Sequence, residues 1–581
     1  MPSAETIVTT TTIKTATAIT TLAPTLEGLT AALSQNFVHY LNYLDRLPGG
    51  QIILRYIKSS YKNDPVRSLF ELALFIFAVH YFLSSKKKEN KSDLTVFSEK
   101  EIDALCKDWE PEPLVEDLSP LEKWELKSIP EIKGHNGSHV QLLNGKGSSL
   151  GKVVNLASYD FLNLNECDSI KSAAKECISA AGVGACGPPN FYGTQDVHVR
   201  LEEDLSEYLG TEQAILYGQD FVTAGSVIPA YLKRGDLCIV DSGVNLAIQK
   251  ALIVSRCDLE WYDHNDMDHL EQILKEIKPV IEKQKPIRRR FIVTEALFAN
   301  TGDLALLPKI IELKNKYKYR LFLDESLSIG VLGATGKGLV EHYGVPRSEI
   351  SITIGSMALS FASSGGFCVG VTPMIQHQRI SSNAYVFSAA LPPYSARVSS
   401  EAIKEITTKL DSTGKSKLMK TLQDKVLYVY QQLEQHIPSS FFTVTSAPFS
   451  PIIHLGLSLE YRKSLNLPPF YGNTDLLLTG KQSKKLNEFN HKLNAESFIL
   501  QKIIDQCLTH AAVLLTRSKH ILEHENLPVP SPHLQFMVNV GVSTEEFDRA
   551  IYALKIAMRE ICSKIRNEND LLILENEIIN Y

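Results

Sequence analysis

From about residue 153, short apolar runs recur between stretches of helical period, and this alternation limits the fold more than any other feature of the chain. The runs lie at 153–156, 214–217, 237–240, 291–294, 321–323, 352–354 and 367–369. Each is too short for a helix and fits a strand. Helical patterns separate them, for example 169–181, and 309–317 after Pro308. Strands alternating with helices predict a layered α/β architecture with a mostly parallel sheet. Such sheets place their sites at the carboxyl ends of the strands. After Pro392-Pro393 the pattern becomes helix-rich with a few strands. We therefore expect a large domain over 151–393 and a smaller α+β domain over 394–581. Within the latter, 458–496 is long and polar, with Lys481-Gln482-Ser483-Lys484-Lys485, and reads as a mobile surface insertion.

At 581 residues, 44% hydrophobic and 22% charged, the chain can bury a large core and exceeds one average domain. A net charge of −6 argues against binding nucleic acid through phosphate contacts. The nine cysteines are irregularly spaced, with no C-x-x-C pair. They read as reduced thiols in a cytosol-facing domain, with neither a disulfide framework nor a metal site.

The N-terminal part has a different texture. Residues 1–24 are rich in Thr and Ala and read as a disordered tail. Over 25–64, Leu26, Leu29, Leu33, Phe37, Tyr40, Leu44 and Leu47 recur at helical spacing on one face, fit for a protein surface or a membrane interface. Residues 65–85 are nearly continuous apolar sequence, with Glu71 and His80 near the ends, and are expected to span a bilayer. Basic residues flank the run on both sides, so charge does not set its orientation. Residues 86–150, with Pro111, Pro113, Pro120 and Pro130, read as a linker and N-terminal arm.

Two glycine-rich segments invite a phosphate or dinucleotide reading and fail it. Gly182-Val183-Gly184-Ala185-Cys186-Gly187 follows a helical stretch and runs into Pro188-Pro189, whereas a dinucleotide loop follows a strand and opens a helix. Gly333-Ala334-Thr335-Gly336-Lys337-Gly338 lacks the spacing and the hydroxyl residue of a nucleotide loop. Cys186 has no cationic neighbour in sequence and reads as a small packed thiol, not a nucleophile.

A more specific signal comes from longer motifs. Gly355-Ser356-Met357-Ala358-Leu359-Ser360-Phe361, closing on Gly365-Gly366-Phe367, resembles the cofactor-lysine segment of the pyridoxal-phosphate (PLP) α-oxoamine synthases. Over 47–581 the chain resembles one branch of that family, the first long-chain-base subunits of the serine palmitoyltransferases. The resemblance rests on 183–198, on His264-Asn265-Asp266-Met267, on 324–333, on Phe387-Ser388-Ala389-Ala390-Leu391-Pro392-Pro393, on Asp108-Trp109-Glu110-Pro111-Glu112-Pro113 and on Leu47-Pro48-Gly49-Gly50-Gln51.

That resemblance implies an aspartate-aminotransferase (fold type I) large domain behind an N-terminal transmembrane helix. It places Leu359 where the family carries its cofactor lysine, and a leucine has no amine for a Schiff base. Asn245 and Leu327 stand where two histidines are expected, and Gln535 where a basic residue meets a substrate carboxylate. Asp324 keeps the place of the carboxylate that faces the pyridine nitrogen. Cys186, Gly187, Phe191, Tyr192, Gly193 and Thr194 are implied to complete a partner's active site. The implied function is that of a required, non-catalytic subunit whose long-chain-base subunit 2 partner binds PLP covalently and condenses L-serine with palmitoyl-CoA to 3-ketosphinganine. A small activating subunit and regulatory membrane proteins are further implied partners. The implied setting is the endoplasmic reticulum membrane with the main domain cytosolic. Two alternatives stay open: an independently active α-oxoamine synthase, and a membrane scaffold with no part in an active site.

Overall fold

A computed structural model describes residues 50–88, 97–109, 114, 118, 120–143, 149–283, 285, 287–472, 491–522 and 524–581. The expected tail 1–24, the amphipathic positions from Leu26 to Leu47, most of the Asp108–Pro113 motif and the lysine-rich part of the expected insertion lie outside them. The described residues fall into two units, within Met1–Glu116 and within Asp117–Tyr581.

In the first unit, helix Gly50–Asn63 is followed by helix Pro65–Lys88. The stretch Pro65–Leu83 is long and apolar enough to cross a membrane, and none of it is buried in protein. Leu69, Phe70, Phe75 and Phe82 all stand exposed. A contiguous apolar surface of this size is stable only against another apolar phase. A third helix, Glu99–Asp108, starts at a capping box in which Ser98 and Glu101 satisfy each other's backbone amides.

The second unit is built on a seven-stranded sheet. Its strands are β4 (Gln213–Tyr217), β5 (Leu237–Asp241), β6 (Asp258–Tyr262), β7 (Arg290–Glu295), β8 (Arg320–Asp324), β9 (Ile352–Ser356) and β10 (Gly366–Gly370), in the order β4-β10-β9-β8-β7-β5-β6. The run β9-β8-β7-β5-β6 is parallel, and β10 is antiparallel to both its neighbours. Every residue of β5 and β9 is buried, as expected of strands covered on both faces. The α/β, mostly parallel architecture read from the sequence is therefore present.

Several elements depart from the expectations. Residues 153–156 do not join the large sheet. Of them, 153–155 belong to β3 (Ser149–Asn155), which with β1 (Glu131–Lys133), β2 (His139–Leu143) and β14 (Val513–Leu514) forms a separate four-stranded sheet. β6 was not anticipated, because this edge strand buries only alternate residues and carries charge. The expected linker is structured where described. Helix Pro120–Lys127 inserts Trp124 into the core, where its Nε1 donates to Asn494 (3.2 Å), Arg517 stacks over it at 4.7 Å, and Phe498 and Tyr581 meet it edge-on. Beyond the expected boundary at 393, helix Pro393–Thr408 packs on helices Asp168–Ala181 and Asp196–Leu209, so these residues lie with the large sheet's helical layer. A four-stranded antiparallel sheet follows, with β11 (Phe442–Val444), β12 (Ile452–Leu457), β17 (His533–Met537) and β15 (Thr516–Arg517).

The segment 458–496 is not simply a mobile insertion. Residues Leu459–Ser464 form a helix, β13 (Phe470–Tyr471) pairs with β16 (Val529–Pro530), and helix His491–Ala511 runs through the core. The polarity that suggested a surface loop is partly a buried ion pair. Arg462 Nε donates to Glu496 Oε1 (2.9 Å), Arg462 Nη2 donates to the Pro468 carbonyl (2.6 Å), and Tyr471 Oη donates to Glu496 Oε2 (2.5 Å). Removing one partner leaves the other charge buried and unpaired. Glu496→Ala is therefore expected to destabilise the second unit by about 3–5 kcal/mol, read as a lowered denaturation midpoint of the full chain.

Candidate functional site

Three adjacent parallel strands each end in a buried carboxylate: Asp241 on β5, Glu295 on β7 and Asp324 on β8. Glu295 and Asp324 are direct register partners. Burial of three acids requires partners, and the structure supplies them from the loops that follow the strands.

Asn245 serves two of the three. It caps helix Leu246–Ser255, its Oδ1 accepting from the Ile248 amide (3.1 Å). Its Nδ2 donates to Asp324 Oδ2 (3.2 Å), and its backbone N–H donates to Glu295. Asp324 Oδ1 accepts from the Ser326 amide (2.9 Å), and Glu295 Oε2 from the Ala299 amide (3.1 Å). Burial raises the pKa of Asp324 despite these bonds. Burial, together with the Asp324 charge beside it, pushes Glu295 up to about 8.

Asp241 is balanced by His264. The imidazole lies between two acids, with Nδ1 2.7 Å from Asp241 Oδ1 and Nε2 3.0 Å from Asp303 Oδ2, and its ring meets Phe298 edge-on at 4.4 Å. Burial works against a charged ring here, but the hydrogen bonds and charges of Asp241 and Asp303 outweigh it and hold the pKa at about 10.

Asn245 and Asp324 are thus brought into direct contact, and the sequence-derived partners meet only in part. Leu327 is buried in the loop after β8. Leu359 follows β9, packs against the core and lines a cavity of about 270 Å³ with Ser158, Tyr159 and Asp160. Gln535 is buried on β17 opposite His454, and among the described residues no side-chain hydrogen bond joins it to Asn245 or Asp324. Leu359 has no amine, and Asp324 is already engaged by Asn245 and Ser326. These residues do not fit a covalently held aldehyde cofactor.

The loop 183–194 is fastened to the segment before the Pro393–Thr408 helix. The Ala390 amide donates to the Gly187 carbonyl (2.9 Å), and His198 Nε2 donates to the Leu391 carbonyl (2.6 Å). Thr194 Oγ1 donates to the Pro189 carbonyl (3.2 Å). Gly193 lies so close to Gly187 that a Cβ would sit 2.0 Å from the Gly187 oxygen, so no other residue fits there. Cys186 and Tyr192 both take positive φ, 57° and 67°, which non-glycine residues seldom adopt. Phe191 and Tyr192 stand exposed. Cys186 is exposed too, correcting the expectation of a packed thiol, because the loop that carries it lies at the surface, with Val183, Gly184 and Asn190 exposed as well.

Glu295, Asp241, Asp303 and the role of His264 were missed from sequence. Asp324 was singled out by the resemblance alone, but Glu295 closes an apolar strand as Asp324 does, and the rule that sites lie at strand carboxyl ends could have found it. Asp303 lies in a loop, where nothing in sequence marks it.

Residues 151–455 match the aminotransferase class I and II family. The chain is 40% identical to serine palmitoyltransferase 1 of Saccharomyces cerevisiae over 90% of its length and 95% of the relative's. It is 34% identical to serine palmitoyltransferase 1 of Dictyostelium discoideum, covering 87% of this chain and 96% of that one. It is also 34% identical to long chain base biosynthesis protein 1 of Arabidopsis thaliana, covering 86% and 93%. The chain belongs to the serine palmitoyltransferase 1 family. In fold it is similar to the solved Sphingomonas wittichii serine palmitoyltransferase, with a TM-score of 0.59 at 17% identity over 80% of this chain and 96% of that one. A serine palmitoyltransferase structure with a PLP internal aldimine gives a TM-score of 0.59 at 16% identity, over 74% and 93%. The family membership and this fold agree with the architecture expected from sequence.

The His264 pair makes a pH prediction. A histidine whose folded pKa lies above its unfolded value of about 6.5 stabilises fully below that pH and loses its effect as pH rises through the folded value. The stability difference between the native chain and His264→Gln, measured by denaturation, is expected to be largest near pH 6 and to shrink toward pH 10.

Proposed function

We propose that this chain is the subunit of a serine palmitoyltransferase that lacks the covalent cofactor site and supports a catalytic partner. The complex condenses L-serine with palmitoyl-CoA, releasing CO₂ and CoA, to give 3-ketosphinganine, the first long-chain-base product of sphingolipid synthesis. One observation carries the reading. Where the resemblance puts the family's cofactor lysine, Leu359 offers no nucleophile, and Asn245 is bonded to Asp324 where a ring would lie. Asp324 is then a retained structural acid and not an electron-sink partner. Leu327 and Gln535 would be further losses at the same inherited site.

The partner, long-chain-base subunit 2, would hold PLP through its own lysine. This chain's part is positional. The loop carrying Cys186, Gly187, Phe191, Tyr192, Gly193 and Thr194 is locked by the Gly187–Gly193 approach and by the Ala390 and Leu391 contacts. It presents two aromatic side chains and a thiol outward on a backbone that resists rearrangement, which suits a wall for the partner's acyl and cofactor pocket. The helix containing Pro65–Leu83 anchors the pair in the endoplasmic reticulum bilayer with the main domain cytosolic, where both substrates are found. A small activating subunit and regulatory membrane proteins would dock on the membrane side. We also propose that a smaller C-terminal domain begins after the Pro393–Thr408 helix.

Borohydride reduction of the purified complex, followed by mass spectrometry, is expected to place the pyridoxyl adduct on the partner and none on this chain. An adduct here, or ketone formation by this chain alone, would reveal an independent synthase. Replacing Cys186 or Tyr192 with a bulkier residue (Cys186→Phe, Tyr192→Trp) is expected to change turnover or acyl-chain choice while the complex still co-purifies. Unchanged kinetics in both variants would leave only a scaffold role.

A further inference from the structure

The segment 333–338, rejected above as a nucleotide loop, has a use of its own. In a phosphate loop the backbone amides cradle the anion. Here they already cradle one from within the chain. The Thr335 amide donates to both oxygens of Glu341 (3.1 and 3.0 Å), and the Lys337 amide donates to Glu341 Oε2 (3.0 Å). The Lys337 carbonyl in turn accepts from Arg347 (2.5 Å). With its backbone held on both sides, Lys337 can answer a ligand only through its ammonium.

That lysine lines a pocket of about 410 Å³ between helices Asp196–Leu209 and Pro393–Thr408. The volume is in the range of small-molecule sites. Three further cations, Arg200, Arg397 and Lys404, line it, against the carboxylates of Asp204 and Glu207. Arg200 is paired with Asp204 (2.9 Å), and Glu401 takes Arg397 (3.3 Å) and Lys404 (3.2 Å). Among the described residues Lys337 has no ion-pair partner. Ser400 also lines the pocket. It is only 7% exposed, and its hydroxyl lacks any hydrogen-bond partner among the described residues. Six hydroxyls among the described residues lack a partner in this way, and that of Ser400 is the one that lines this pocket, where a ligand could supply the missing bond.

We propose that this pocket binds the phosphate group of a small phosphorylated molecule. Phosphate offers several acceptor oxygens to the Lys337 ammonium, the Ser400 hydroxyl and an arginine edge at once, which a single carboxylate does less well. Asp204 and Glu207 repel a bare anion but accept hydrogen bonds from the hydroxyls of an organic body attached to it. None of the residues lining this pocket belongs to loop 183–194, to helix Pro65–Lys88 or to the set Leu359, Asn245, Leu327, Gln535 and Asp324, so the proposal does not rest on the proposed subunit role.

The test uses the purified complex containing the full chain, with inorganic phosphate, AMP and adenosine as probes in equilibrium dialysis. Saturable binding of phosphate or AMP, but not adenosine, is expected. Lys337→Gln is expected to weaken it about tenfold, with Lys337→Arg restoring most of it and Ser400→Ala causing a smaller loss. Tighter binding of AMP than of phosphate would identify an organic phosphate; equal binding would identify the free anion. The proposal is overturned if no probe saturates, if adenosine binds as well as AMP, or if Lys337→Gln binds normally. Co-purification of each variant with its partner, at an unchanged denaturation midpoint, excludes misfolding as the cause.

Discussion

The molecule is arranged around a problem of buried charge. Parallel strands covered on both faces leave their carboxyl ends as the place for polar groups, and here three neighbouring strands each end in an acid, Asp241, Glu295 and Asp324. Acids so placed must share protons, find cations or accept hydrogen bonds. Asn245 and His264 meet those needs, and in doing so they set the start of helix Leu246–Ser255 and tie the loops after β5, β6 and β7 together. This chain satisfies its strand-end acids with its own side chains.

That arrangement explains why the family could be read from sequence more easily than the chemistry. The central strands were legible because burial on both faces leaves a continuous apolar run, as in β5, β7 and β8. β6 escaped because its edge position buries alternate residues only. The first sheet was misassigned because 153–156 has the composition of a core strand, while one of the two strands it pairs with, β14, comes from far along the chain. Polar segments misled in the other direction. Arg462 and Glu496 read as surface residues until their pairing is seen, and pairing across 34 residues leaves no periodic trace.

The site was half legible. Asp324 and Asn245 were singled out separately, as a retained and a replaced residue, yet nothing in sequence says that they touch. Asp303 and Asp241 gain meaning only from a shared histidine. The loop 183–194 was visible as a motif, but its rigidity was not. That rigidity comes from the close approach of two glycine backbones and from anchors some two hundred residues further along the chain.

Trp124 has a mechanical consequence. The helix that carries it opens the second unit, yet the ring is held by Asn494, Arg517 and Tyr581, and the Tyr581 carbonyl also accepts from Lys127 Nζ (3.0 Å). Tension arriving along the polypeptide from the residues before this helix is thereby shared with helix Glu568–Asn580 instead of peeling the Pro120–Lys127 helix away. An affinity tag fused directly after Tyr581 would press on the same clasp.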